Sequence, residues 1–183
     1  MEKLRIKDKT FDLFVTADEI AAIVKRVADA INCDLRGKNP LFLPVLNGAF
    51  MFASDLMKQV DILSELAFVK FSSYEGTVST GELHQLIGLE QSVAGRVVVV
   101  VEDIVDTGLT MRKIVDLLNA KGAAEVKVVT FCSKPSARKI DVDLDYVGFE
   151  IDNRFVVGYG LDYDGYGRNR GELYVWNGTT TTE

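Results

Sequence analysis

The chain reads as an α/β protein: a parallel sheet flanked by helices, with a small added lobe. Three observations predict this. Segments 41–46 and 97–101 are almost wholly apolar, as strands buried on both faces are, and 126–131 is another β-rich run. Apolar stripes at helical spacing lie between such runs. The strand at 97–101 leads through a Gly- and Thr-containing turn straight into a helix. Strands alternating with helices imply a parallel sheet covered on both faces.

Taken in order, the first strong element is a helix opening at Thr16, with Glu19 at the spacing of a capping box. Ile20, Ile23, Val24, Val27, Ala28 and Ile31 mark its buried face, and Lys25, Arg26 and Asp29 the opposite one. The strand at 41–46 passes through Asn47-Gly48 into an apolar helix over 49–57. Another strand follows at 66–71. Segment 72–81, rich in Ser, Thr, Gly and Glu around Tyr74, reads as a polar loop of the kind that closes over a site. Five consecutive valines, 97–101, leave no polar face, so this strand belongs mid-sheet. It is expected to end at Glu102-Asp103. The next helix carries Met111, Ile114, Val115 and Leu118 on one stripe and stops near Gly122, where a left-handed cap favours glycine. After the strand at 126–131 come short strand-like pieces at 146–151 and 155–157, then a Gly- and Tyr-rich segment.

A length of 183 residues suits one domain, taken as 1–178, with 179–183 as a disordered tail. Apolar residues at 48% and charged residues at 26% exclude a disordered chain. With 27 acidic against 21 basic residues, the net charge of −6 argues against general nucleic-acid binding, which depends on neutralising phosphates. Cys33 and Cys132 are far apart, with no metal-ligand spacing around them, and read as reduced thiols. No apolar leader and no stretch of membrane-spanning length is visible, so a soluble, cytoplasmic protein is expected. His84, the only histidine, has no nucleophile-and-carboxylate set around it and reads as a surface residue.

The chemistry is expected at the carboxyl end of the valine strand, where open α/β sheets bind ligands. Asp106-Thr107-Gly108-Leu109-Thr110 joins a glycine, two hydroxyls and a helix start, whose unpaired amides make a phosphate seat. Glu102 and Asp103 would repel phosphate. They suit sugar hydroxyls or a hydrated metal, and phosphate seat with hydroxyl reader together indicate a ribose phosphate. No Gly-x-x-x-x-Gly-Lys-Ser/Thr loop occurs, and Gly165-Tyr166-Gly167 lacks the third glycine of a dinucleotide fingerprint.

Segment 99–111 resembles the phosphoribosyl-diphosphate (PRPP) signature of type I phosphoribosyltransferases, and nearly the whole chain is similar to their hypoxanthine-guanine branch. The matching segments are 44–50, Ser72-Ser73-Tyr74, Lys134, 147–151, 155–163 and Arg168. The resemblance implies a Rossmann-like sheet with a hood built from terminal segments. It implies purine salvage, in which a 6-oxopurine base displaces pyrophosphate from PRPP to give IMP or GMP.

By matching position, Asp106, Thr107, Gly108, Leu109 and Thr110 hold the 5′-phosphate, and Glu102 and Asp103 the ribose hydroxyls. Leu46, Asn47 and Gly48 meet pyrophosphate through a loop whose first peptide bond is cis in the family, with Arg168 clamping the same group. Many relatives carry Lys where Asn47 stands, so this chain loses a positive charge near pyrophosphate. Lys134 reads the purine O6, Phe155 stacks on the base, and Val156 and Asp162 lie at its edge. Ser72, Ser73 and Tyr74 begin the lid. Mg²⁺ is the implied cofactor, with Glu102, Asp103 and Asp162 as its carboxylates. Asp106 is the expected proton acceptor at purine N7, and an aspartate there also suits a helix N-cap. Homodimers or homotetramers are implied as well. A xanthine-preferring enzyme, or a PRPP- or nucleotide-sensing regulator on the same fold, are the alternative readings.

Overall fold

The computed structural model describes residues 3–73, 83–87 and 91–180. In chain order the elements are β1 (Lys3–Ile6), β2 (Lys9–Val15), α1 (Ala17–Asp34), β3 (Leu41–Leu46), α2 (Phe50–Gln59), β4 (Glu65–Leu66), β5 (Val69–Ser73), β6 (Leu83–Ile87), β7 (Val97–Val105), α3 (Leu109–Ala120), β8 (Glu125–Ser133), β9 (Tyr146–Glu150), β10 (Val156–Gly158) and β11 (Leu173–Thr180). One sheet runs β6-β5-β3-β7-β8-β9, with β4 also on β3, and is parallel except for the antiparallel β5–β6 pair. A second, antiparallel sheet, β1-β2-β11-β10, is the hood expected from the terminal segments.

The valine strand sits mid-sheet, between β3 and β8. Val99 and Val101 pack with Ile20, Val24 and Ile31 of α1 and with Phe52 and Leu56 of α2. Val98 and Val100 pack on the other face with Met111, Ile114 and Leu118 of α3. This two-sided burial is what an unbroken apolar strand requires, and each large side chain fully removed from water stabilises by ~1.5–3 kcal/mol. The strand that leads to the expected site is therefore deeply packed on both faces.

Helix ends follow their local chemistry. The Thr16 hydroxyl accepts from the Glu19 amide at 3.3 Å while Glu19 Oε2 accepts from the Thr16 amide at 2.8 Å, completing the capping box. At the end of α3, Gly122 adopts φ +82°, its amide donates to Asn119 O at 2.9 Å, and the Ala123 amide donates to Leu118 O at 3.2 Å, a Schellman closure.

Several expectations change. The second helix covers Phe50–Gln59 rather than 49–57. The strand expected at 66–71 is two pieces, β4 beside Leu41–Phe42 and β5 beside Val45–Leu46, both pairing with β3. β7 does not stop at the acidic pair: Glu102 pairs with Thr130, Ile104 with Cys132 and Val105 with Ser133, because β8 supplies a continuous ladder for them. The β1–β2 hairpin, β6 and β11 are additional elements. β11 reaches Thr180, so Thr179 and Thr180 are ordered strand rather than tail: Thr179 O accepts from Trp176 Nε1 at 3.2 Å, and Thr180 pairs with Lys9. Among the described residues, no helix is long and apolar enough to cross a membrane.

Candidate active site

The phosphate seat forms where β7 turns into α3. Gly108, at φ +81°, is the N-cap of α3, and a Cβ there would meet Ile140 O at 2.6 Å and Arg138 Cδ at 2.8 Å. Only glycine fits that approach. The loop is braced from below, since Thr107 O accepts from the Lys139 and Ile140 amides at 3.0 and 3.2 Å. Thr107 Oγ1 accepts from the Leu109 amide at 3.4 Å. Asp106 is not the helix cap. Around this turn lies a cavity of about 110 Å³ lined by Glu102, Asp106, Thr107, Gly108 and Thr110. First-turn amides of a helix, left without intrahelical acceptors, favour an anion there.

Asp106 points instead at Lys134. Its Oδ2 lies 3.3 Å from Lys134 Nζ; the lysine side chain is 8% exposed and the aspartate 46%. Strand register brings them together: Val105 pairs with Ser133, so the next residue of each chain segment emerges at the same sheet edge. The Lys134 amide also donates to Val105 O at 3.0 Å.

Glu102 and Asp103, both buried, are the floor of the site. Asp103 Oδ1 accepts from the Ile104 amide at 2.8 Å, and Glu102 Oε1 from the Asp103 amide at 3.2 Å. Burial first, then the neighbouring Asp103 charge, pushes the Glu102 carboxyl well above the usual carboxylate range. Burial also raises Asp103, against hydrogen bonds from Glu102 and the Ile104 amide and the pull of Arg168. An acidic pair this buried can accept hydrogen bonds from hydroxyl donors or hold a cation.

The Leu46–Asn47 bond is cis, as the resemblance implied. Gly48, just after it, is held between two segments. The Asp103 carboxylate fills the space a Gly48 side chain would take, and the Gly48 carbonyl fills the space a Gly160 side chain would take. Gly158, Tyr159 and Gly160 have φ of 99°, 48° and 96°, three left-handed residues in a row. The bulky middle one is fixed by its ring against Phe131, with centroids 4.7 Å apart, and by its hydroxyl donating to Asp55 at 2.9 Å. Arg168 then joins this bend, donating to Gly160 O at 2.7 Å and pairing with Asp162 at 2.6 Å. Asp162 also accepts from the Gly165 amide at 2.7 Å. Four segments thus converge: 46–48, 102–103, 160–162 and Arg168.

The phosphoribosyl transferase domain family matches residues 15–164. The hypoxanthine-guanine phosphoribosyltransferase of Bacillus subtilis is 41% identical over 152 residues, covering 82% of this chain and 84% of that protein. The chain belongs to the hypoxanthine-guanine phosphoribosyltransferase family. A crystal structure of the Staphylococcus aureus hypoxanthine phosphoribosyltransferase superposes with a TM-score of 0.84 at 35% identity, covering 93% of this chain and 91% of that one. The bifunctional protein TilS/HprT of Listeria monocytogenes is 43% identical over 82% of this chain, which spans 24% of that longer relative.

The other residues expected at the site lie in the hood and at the sheet edge. Phe155, 40% exposed, packs by its ring against Phe11 at 6.0 Å and edge-on to Tyr163 at 5.8 Å. Val156 is buried and pairs with Val175 in the hood sheet. Asn47 is exposed, with its carbonyl accepting from the Phe50 amide at 3.4 Å. The backbone of Ser72 and Ser73 ends β5 opposite His84 and Leu83, while Tyr74 and the rest of the loop expected to 81 lie outside the described residues. Sequence reading missed Arg138 and Gly160. The first carried no motif, and the second was visible only as a glycine within 155–163.

Mg²⁺ takes oxygen ligands, keeps several waters and uses few carboxylates. Among the described residues no three His, Cys, Asp or Glu side chains form a ready-made cage. A buried acidic pair and the separate Asp162 are a donor set that fits an ion carried in on a diphosphate.

Proposed function

We propose that this chain transfers the 5-phosphoribosyl group of PRPP to hypoxanthine or guanine, releasing pyrophosphate and giving IMP or GMP. The observation that carries the reading is the Lys134–Asp106 pair at the rim of the phosphate loop, beside the buried Glu102-Asp103 floor. In this reading the amides and hydroxyls of 107–110 seat the 5′-phosphate and fix the ribose, while Glu102 and Asp103 receive its 2′- and 3′-hydroxyls. Lys134 donates to the purine O6. A 6-amino base would set a donor against that buried ammonium where a 6-oxo base offers an acceptor, which disfavours adenine.

N9 of the base attacks C1 of the ribose as the bond from C1 to the diphosphate oxygen breaks. Positive charge grows on the ribose ring, and the Asp106 carboxylate both opposes it and accepts the proton leaving N7. The backbone of 46–48 and Arg168 meet the departing diphosphate. Asp162, Glu102 or Asp103 would hold Mg²⁺, which when bound would neutralise charge on that group. Phe155 and Val156 bound the base, and the lid that begins at Ser72, Ser73 and Tyr74 excludes water that would otherwise take the ribosyl group. A cytoplasmic homodimer or homotetramer completes the reading, which rests there on the family resemblance.

The test is base-dependent pyrophosphate release from PRPP and Mg²⁺ with hypoxanthine, guanine, xanthine and adenine in turn. Turnover with the first two and not with adenine is expected. A preference for xanthine, or no release with any base, would overturn it.

A further inference from the structure

A second cavity lies on the hood, where β1 and the turn after it face the loop at 166–170. Its volume is about 450 Å³, and Arg5, Lys7, Tyr166, Gly167, Asn169 and Arg170 are among the residues lining it. None of its lining residues is acidic, a local reversal in a chain of net charge −6. Lys7 is ion-paired with Asp164. Arg5 and Arg170 are exposed, and among the described residues neither guanidinium enters an ion pair. Arg5 only donates through Nε to Lys7 O at 3.3 Å, which orients its fork without neutralising it.

Tyr166, 59% exposed, lines the same cavity, with the Lys7 ammonium 5.2 Å from its ring centroid. Gly167, at φ +97°, brings the loop close to β1: a Cβ there would come within 2.9 Å of Ile6 Cδ1. Two unneutralised guanidiniums select a polyanion, because their planar donors match phosphate oxygens in pairs. A large exposed aromatic ring supplies a stacking face, and the volume suits a ligand larger than a lone phosphate. We propose that this cavity binds a nucleoside polyphosphate, with its phosphates on Arg5 and Arg170 and its base against Tyr166.

Calorimetric titration with ATP tests this, because the amino group of adenine is what Lys134 disfavours at the other site. Inorganic tripolyphosphate is the second arm. ATP is expected to bind saturably below about 1 mM. The double variant Arg5→Gln/Arg170→Gln is expected to lose at least ~10-fold in affinity for both probes, and Tyr166→Leu to weaken ATP alone. Unaltered melting temperature in each variant confirms that the exposed substitutions leave the fold intact. Absence of saturable ATP binding, or equal affinity in the double variant, overturns the site. Equal loss of ATP and tripolyphosphate affinity in Tyr166→Leu overturns its nucleoside half.

Discussion

Lys134 Nζ sits 3.3 Å from Asp106 Oδ2, a buried cation meeting a half-exposed carboxylate across 28 residues of sequence. The pair places the proposed base reader and the proposed proton acceptor side by side at the end of two adjacent parallel strands.

Asp106→Asn keeps the loop's shape and removes the acceptor. Turnover is expected to fall roughly 10²- to 10⁴-fold while PRPP binding stays nearly intact. Steady-state kinetics with PRPP binding measured separately checks this, and near-normal turnover would remove Asp106 from its role.

Lys134→Met deletes the O6 donor and leaves Asp106 without its partner. The kcat/KM for hypoxanthine should drop about 10- to 100-fold, the worth of a charged hydrogen bond. The hypoxanthine-to-adenine preference should narrow in the same comparison.

Gly48→Ala puts a methyl group where the Asp103 carboxylate lies. Overpacking of this kind costs about 1–3 kcal/mol. A lowered melting temperature is expected, recovered in Gly48→Ala/Asp103→Ala without recovery of activity; additive losses in that double-mutant cycle would contradict the contact.

Arg138 braces the phosphate loop: its Cδ is packed near Gly108, and its guanidinium donates to Ser133 Oγ at 3.0 Å and toward Val142 O at 3.4 Å. Among the described residues its buried Nε finds no partner. Arg138→Met should raise the KM for PRPP several-fold with little change in kcat or in the KM for base, and Arg138→Lys should restore part of it. A matched fall in kcat would mean that the loop does more than seat the phosphate.

The two thiols should differ. Cys33 is exposed, whereas burial pushes the Cys132 thiol up to about 12, with Lys134 lowering it and Asp103 raising it. Iodoacetamide at pH 8 should label one thiol per native chain and two after denaturation. From the ordinary value of 9.0 up to about 12, the unfolded chain releases this proton and the folded one retains it. Stability therefore falls as pH rises through that window. Tyr146, raised by burial from 10.0 to about 12, acts in the same direction.

Much of this was legible because local chemistry and global fold agree. The valine run has no polar face to expose, the Thr16–Glu19 spacing has one capping use, and Gly122 stands where a left-handed residue was needed. The hood was less visible. In β1 charged residues alternate with apolar ones, β2 mixes Lys9, Thr10 and Asp12 with its apolar residues, and the partners of Phe11 and Leu13 come from the far end of the chain. The extension of β7 through Glu102-Asp103 ran against strand propensity, and only pairing with β8 explains it. At the site, residue types and motif were readable, but strand register decided that Asp106 meets Lys134 rather than capping α3. The packing of Gly48 between Asp103 and Gly160 depends on contacts 55 or more residues apart, and no local pattern encodes them.

The most direct test of the account is a crystal structure of the protein with IMP. The 5′-phosphate should lie on the amides of 107–110 with the purine O6 within hydrogen-bonding reach of Lys134 Nζ. A nucleotide lodged elsewhere, or bound with its base turned away from Lys134, would contradict it.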